Sequence, residues 1–402
     1  MSDRENFSRI RLGDYQATDR TRKYMARVLE SGRISYGPLC GEFEARFSLM
    51  HNSTYGVLSN SGTSSLQVAL QALKEMDGWN DGDEVIIPAV TFVATANIVL
   101  HNRMTPVFVD VDRDTFAIDP TLIEQSIGPK TRAIIPVHPF GLPCDIQAVC
   151  KIAEDNQLRV IEDSAEAMGV SFDRRAVGSW GDIGCFSFYV AHILTTGVGG
   201  MSICKSEELS LRMRSLVNHG IEWASLPNAG FYDPSHLGRH FRFESIGHSF
   251  RITEMEAALG LAQLDDLDKI IDKRRNNASY LTDKLMPLFM GECVARKQIH
   301  KSYSDAYPGH SWMVYPIVSK EIPNHEAISY LRKYGIETRE MLPLLRQPCY
   351  RGLGHNPDDF VHANEIEEKG YYVPCHQYLT QYEIDYMSQV ILSLYGYADP
   401  PD

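Results

Sequence analysis

GSWGDIGCFSFYVAHILTTGVGGM, residues 178–201, places a polar centre between two short apolar runs. DIGCFSF (182–188) and GMSIC (200–204) read as strands, and Ser187, His192 and the small-residue run at 195–200 lie at or between their ends. Outward from this stretch the same kind of run recurs at EVIIP (84–88), TPVFVDV (105–111), AIIPV (133–137) and LRVIED (158–163). Helical patterns separate them at 62–76, 91–102, 119–127 and 145–156. Runs this apolar suit strands covered on both faces, so the pattern predicts an α/β chain with a mostly parallel sheet between helices. In such sheets ligands bind beyond the carboxyl ends of the strands. Ser61-Gly62-Thr63, Asp163 and the 187–200 segment all fall there.

Two further helices are expected at 18–31 and 40–50. The stretch 252–289 has apolar residues at helical spacing and reads as one long helix leaving the sheet. Beyond it the pattern is strand (313–318), helix (323–334), strand (336–341) and helices at 363–370 and 380–395. The expected division is therefore 1–289, with the N-terminal helices, the large domain and the connecting helix, and 290–402, a smaller α/β domain.

The chain has 402 residues, 44% of them hydrophobic and 23% charged, as in ordinary globular proteins. A net charge of −13 repels phosphate backbones and argues against general nucleic-acid binding. No apolar stretch approaches the ~20 residues of a membrane span, and MSDRENFSRIRLGD lacks the apolar core of a signal peptide. Eight scattered cysteines without a C-x-x-C pair suit a reducing cytoplasm and small apolar core positions rather than a metal site.

Three features carry candidate chemistry. SNSGTSSLQVAL (59–70) turns into a helix whose free N–H groups would hold a phosphate, although plain Ser/Thr capping is commoner. Phe92 opens the next helix directly after a strand, either as a core ring or as a face for a planar cofactor. Asp163 ends a buried run, a poor place for an unpartnered carboxylate. It either caps the following turn or pairs with a pyridinium N–H.

Taken together, SFYVAHILTTGVGGM, ISYGPLCGEFEARF (34–47), SNSGTSSLQVALQAL (59–73), GDEVIIPAVTFVATANIVL (82–100), VIEDSAEAMG (160–169) and FRITEMEAALGLAQLDDLD (250–268) resemble the DegT/DnrJ/EryC1/StrS family of sugar aminotransferases. The resemblance spans nearly the whole chain. It implies the aspartate-aminotransferase-like fold, fold type I of the pyridoxal phosphate (PLP) enzymes, and action on nucleotide-linked keto sugars as a homodimer. By it, Gly62, Thr63 and Ser187 hold the cofactor phosphate, Phe92 stacks on the ring, and Asp163 pairs with the ring nitrogen. Ser249 stands where family members bring an asparagine from the neighbouring subunit. Tyr36, Tyr232, His240, Arg242 and Arg251 are candidates for the sugar nucleotide, with Arg251 also a candidate for the carboxylate of a glutamate amino donor. The segment 229–247 reads either as a lid or as an ordered surface loop.

The chain departs from that pattern in one decisive place. Five residues after the phosphate serine, where the aminotransferases carry their Schiff-base lysine, stands His192. Imidazole cannot anchor the aldehyde, so PLP or pyridoxamine phosphate (PMP) would be bound without a covalent link. His192 then marks a decayed binding protein, an artificial knock-out, or the base of another reaction. SFYVAH resembles the family's lysine-to-histidine branch, the 3-dehydratases of nucleotide 4-keto-6-deoxyhexoses, which makes C3 deoxygenation the leading expectation. Lysine-free amino transfer and an inactive binding protein are the alternatives. Three further departures are Val198, where an acid is usual; Glu166, where a glutamine is usual, facing either the cofactor's phenolic oxygen or the sugar; and SFRITEMEAA (249–258), which resembles the aminotransferase branch more than the dehydratase branch.

Overall fold

Val85, Ile86 and Ile87 are all fully buried because successive side chains of one strand enter different cores. Val85 and Ile87 pack with Leu66, Leu70 and Leu73 of the Gly62–Asp77 helix on one face. Ile86 faces the other way, with Val149 and Ala153 of the Ile146–Asp155 helix. The same alternation runs through neighbouring strands and produces three layers, helices on both sides of one sheet. The computed structural model describes residues 10–221, 242–294 and 309–401.

The strands, in chain order, are β1 (Tyr55–Ser59), β2 (Glu84–Pro88), β3 (Thr105–Val109), β4 (Thr131–Ile134), β5 (Arg159–Asp163), a hairpin of β6 (Ser171–Phe172) and β7 (Arg175–Ala176), then β8 (Ile183–Ser187) and β9 (Gly200–Cys204). The large sheet has the order β1-β9-β8-β5-β4-β2-β3. All its pairings are parallel except those of β9, which runs antiparallel to both β1 and β8. The expected apolar runs thus become the sheet, while β1 was not among them.

Helix starts follow local chemistry. Ser61 Oγ accepts from the Ser64 N–H at 3.1 Å, and Asp145 Oδ1 accepts from the Ala148 N–H at 3.1 Å. Gly78, at φ 68°, closes the Gly62–Asp77 helix in the left-handed region.

The expected single helix over 252–289 is three: Glu254–Leu264, Leu267–Lys284 and Met286–Met290. Asp265 and Asp266 form the first break, with Asp266 Oδ2 2.8 Å from Arg20 Nη1 and Asp265 paired to Arg46. Pro287 in the first turn of the third helix cannot continue a preceding one.

A second sheet comprises β10 (Val314–Val318), β11 (Arg339–Glu340) and β12 (Gly370–Pro374), ordered β10-β12-β11 and antiparallel. The helix expected to include residue 370 ends at Lys369, and GYYVP continues as β12. The core under this sheet also takes in Ile10, Ala278, Leu281 and Leu288. Segments before residue 290 therefore pack with the C-terminal sheet, and Ile10 bridges directly to Ile336. Among the described residues no helix is long and apolar enough to cross a membrane.

Candidate active site

Register builds the first part of the site. Gly200 pairs with Ser59 on one side and Ser187 on the other, so the ends of β1 and β8 meet at a residue without a side chain. A Cβ on Gly200 would lie 2.2 Å from the Ser61 carbonyl oxygen, and one on Gly62 would lie 2.6 Å from Ser187 Cβ. Both glycines therefore let the first turn of the Gly62–Asp77 helix close against Ser187. In that turn the Ser64 N–H goes to Ser61 Oγ and the Ser65 N–H to the Ser61 carbonyl. The Gly62 and Thr63 N–H groups stand in the first turn, at the positive end of the helix, where Thr63 is exposed. This is a cradle for a phosphate that a side chain at Gly62 would fill. Gly200→Ala is expected to destabilise the fold by about 1–3 kcal/mol through the backbone clash, read as a lowered midpoint in calorimetry.

Asp163 ends β5 at 5% exposure. Its Oδ2 accepts from Thr95 Oγ1 at 2.8 Å, Thr95 is in turn 2.7 Å from Thr91 Oγ1, and Oδ1 accepts from the Ala165 N–H at 3.2 Å. Burial nevertheless raises its pKa, the response of a carboxylate held in place but short of positive charge. Phe92 caps the Val93–His101 helix with its ring 60% exposed, a large apolar surface left open at the strand ends. An aromatic face, a buried carboxylate and an N–H cradle at the carboxyl ends of the strands fit a flat, phosphate-bearing nitrogen heterocycle.

His192 follows β8 in a tight loop, its N–H bonded to the Tyr189 carbonyl at 2.9 Å. Its Nδ1 lies 3.3 Å from the Ser187 carbonyl oxygen. A carbonyl only accepts, so this contact places the proton on Nδ1 and leaves Nε2 with a free lone pair. Burial, with Arg274 as a further cause, pushes the ring down to about 4, so it is neutral at pH 7. Lys151 and Lys205, the lysines nearest in sequence, are engaged elsewhere: Lys151 with Asp155 at 2.6 Å, Lys205 with the Ser179 carbonyl at 3.3 Å.

Glu166 completes the cluster. Its Oε2 accepts from the Phe140 N–H at 2.5 Å, a bond that depends on Phe140 adopting φ 57°. Burial raises its pKa to about 7, with repulsion from Asp163 adding to the shift. Tyr372 of β12 stands close enough to feel Glu166 and bonds Arg339. Phe92, Tyr372 and Arg339, with His325 and Arg332, line a cavity of about 680 Å³.

The remaining expected residues sit differently. Tyr36 is no free substrate ligand: its hydroxyl bonds Glu44 and accepts from Arg214 Nη1 at 2.7 Å. The same guanidinium reaches the Gly56 carbonyl at 2.9 Å, so this cluster braces the start of β1. Ser249 and Arg251 are exposed and lie near the 60–63 turn, because the Asn60 N–H donates to the Phe250 carbonyl at 2.7 Å. Arg251 bonds Asn218 at 2.6 Å, His219 at 3.3 Å and Ser249 at 3.2 Å. Arg242 is exposed beside Glu244, and Val198 is exposed in the 195–200 turn. Tyr232 and His240, with most of the 229–247 segment, lie outside the described residues. Among the described residues no group of His, Cys, Asp and Glu is placed to hold a metal ion.

Sequence reasoning missed Thr91, Thr95, Tyr372, Arg339 and Arg274. The four-residue spacing of Thr91 and Thr95 at a helix start was a usable signal for the first pair. The other three reach the site from distant segments and carry no local signature.

The comparisons with known proteins agree with this geometry. The chain is 34% identical over 370 residues to GDP-perosamine synthase of Caulobacter vibrioides, covering 90% of this chain and 92% of that protein. The solved aminotransferase of Psychrobacter cryohalolentis superimposes with a TM-score of 0.84 at 30% identity, covering 94% of this chain and 97% of that one. The E. coli GDP-4-keto-6-deoxy-D-mannose-3-dehydratase, solved with bound hydrated PLP, gives a TM-score of 0.84 at 25% identity over 96% of this chain and 99% of that one. The model of the DegT/DnrJ/EryC1/StrS aminotransferase family matches residues 16–392. With the sheet order, the strand-end cluster and a match of this length, the chain belongs to the DegT/DnrJ/EryC1/StrS aminotransferase family.

Proposed function

We propose that this chain binds PLP or PMP without a covalent bond and catalyses C3 deoxygenation of a nucleotide-linked 4-keto-6-deoxyhexose, with His192 as the base. The observation that carries this reading is the neutral imidazole at the lysine position, its Nδ1 on the Ser187 carbonyl and its Nε2 free. When bound, the cofactor supplies an electron sink. Gly62, Thr63 and Ser187 would hold its phosphate, Phe92 its ring face and Asp163 its ring nitrogen. His192 takes and returns a proton at Nε2; with its pKa lowered to about 4 it stands unprotonated, ready to accept, throughout the neutral range.

A second reading is amino transfer to a keto sugar. The names of the sequence relatives favour it, since GDP-perosamine synthases from Caulobacter vibrioides and Escherichia coli are among them. His192 argues against it, because no side chain at that position can carry the aldehyde. The dehydratase relative with bound hydrated PLP shows that an enzyme of this fold holds the group in that form. A homodimer, glutamate as amino donor and a cytoplasmic setting belong to the same proposal. Exposed Ser249 and Arg251 would then face the neighbouring subunit's site.

Mass analysis of products from GDP-, CDP- and dTDP-linked 4-keto sugars with PMP and glutamate separates the readings. A 3-deoxy product is expected. An amino sugar as sole product would replace this reading with amino transfer, and binding without turnover would replace both. Borohydride is expected to fix no cofactor onto the chain.

Glu166 adds a pH signature. Its carboxyl, raised to about 7, is protonated below that pH and offers a hydrogen bond; above it a second negative charge joins Asp163. PMP affinity of the wild type is therefore expected to fall as pH rises through about 7, and that of Glu166→Gln to stay level. Isothermal titration between about pH 6 and 8.5 checks this.

A further inference from the structure

Arg274, on the Leu267–Lys284 helix, is buried to 1% exposure. A guanidinium at such depth ordinarily has a carboxylate partner, yet among the described residues its hydrogen bonds go to neutral acceptors. Nε donates to Gln377 Oε1 at 2.9 Å, and Nη1 to the carbonyls of Trp312 at 3.3 Å and Met313 at 2.9 Å. Nη2 donates to the carbonyl of His192 at 3.2 Å. Trp312 and Met313 precede β10, and Gln377 follows β12. One side chain thus joins the small sheet to the loop on which the proposed chemistry depends.

The loop is held from a second side. Gly13 packs so tightly on it that a Cβ there would lie 2.3 Å from the Val190 carbonyl oxygen and 2.7 Å from Ala191 Cα. That N-terminal segment is itself tied to the small sheet's surroundings, through the Leu12 N–H to Glu337 at 3.2 Å and the Arg11 carbonyl to His376 at 3.1 Å. Burial lowers the Arg274 guanidinium to about 10, which still leaves it charged at neutral pH. Its field reaches two imidazoles. His376, like His192, is pushed down to about 4, by burial first and by Arg274 next. The other groups around the His192 ring are the Ser187 carbonyl and the Tyr189 ring, edge-on at 6.0 Å. Asp163 at the end of β5, Glu166 just after it, and Tyr372 and Arg339 of the small sheet are not among the causes of the ring's shift.

We propose that Arg274 is a positioning residue that pins the His192 loop to the small sheet and, through a charge with no carboxylate hydrogen-bonded to it among the described residues, makes the imidazole harder to protonate. This inference rests on the reading of His192 as the proton carrier. It assigns to a residue that touches neither cofactor nor sugar a direct influence on the base.

NMR titration of the full-length protein with 13C-labelled histidine, the His192 signal assigned by its loss in His192→Asn, tests the coupling without any turnover. Gln377→Glu keeps the guanidinium and its packing but sets a counter-charge against Nε. Arg274→Gln removes the charge, and Arg274→Lys keeps it. An upward shift of the His192 midpoint is expected in Gln377→Glu and Arg274→Gln, with the midpoint staying low in Arg274→Lys. The acidic limb of kcat should move up in pH by the same amount while KM for the sugar nucleotide holds. If Arg274→Gln does not fold, Gln377→Glu carries the test alone. A midpoint that does not move in Gln377→Glu overturns the proposal, as does an equal shift in Arg274→Lys and Arg274→Gln. Wild-type turnover in His192→Asn would instead reject the function assigned to His192 and leave the measured coupling standing.

Discussion

Replacing His192 with asparagine is expected to slow conversion of a 4-keto sugar nucleotide by about 10²–10⁴-fold, the usual contribution of a placed acid–base group. The asparagine amide can still donate to the Ser187 carbonyl, which Nδ1 approaches at 3.3 Å in the wild type. What it lacks is a basic lone pair. PMP affinity should therefore hold while turnover collapses, a separation that initial rates and isothermal titration read independently. The sign of the pH dependence follows from the lowered ring pKa of about 4. The base is unprotonated through neutral pH, so the wild-type rate should stay level there and fall only on acidification toward that value. The asparagine variant should show no such limb. A variant that retained most of its turnover would remove His192 from the chemistry.

Asp163→Asn should act on both binding and rate. The wild-type carboxylate is fixed by Thr95 at 2.8 Å and the Ala165 N–H at 3.2 Å, so the amide would occupy nearly the same place without the charge. A charged partner at contact shifts a neighbouring pKa by about 1–3 units, so a ring nitrogen facing the amide would lose its proton about ten to a thousand times more readily. PMP binding should weaken by at least about tenfold and turnover should fall by a comparable or larger factor. Because Asp163 is destabilised by burial in the absence of a cation, removing its charge should leave the thermal midpoint of the cofactor-free protein unchanged or raised. A pronounced loss of stability would instead mark Asp163 as a structural cap, the other reading open to it from the sequence.

The local pattern reached far. EVIIP became β2 residue for residue because a strand covered on both faces needs an unbroken apolar run, and that requirement is written locally. Ser61 and Asp145 cap the helices expected at 62–76 and 145–156 with atoms within three residues, so those starts are set locally. The placement of Ser61-Gly62-Thr63, Phe92, Asp163 and His192 at or just past strand ends was legible, since strand runs and the turns or helices after them are local patterns. β12 was not: Gly370–Pro374 follows a helix without a break and is strand only because β10 and β11 pair on either side of it. The surroundings of Tyr36 were hidden for a related reason. Arg214, which bonds its hydroxyl alongside Glu44, comes from a distant segment that only the fold brings to it.

The chain by itself determined the layered α/β architecture, the family and the histidine at the lysine position, because periodicity, capping and the identity of one side chain are local properties. Only the tertiary structure decided which ring nitrogen of His192 stays free and that Glu166 shares its buried corner with Asp163. It alone also set a buried guanidinium from a helix some eighty residues away against the His192 carbonyl. Protonation depends on what surrounds a group in three dimensions, and those neighbours come from segments whose sequences carry no record of one another.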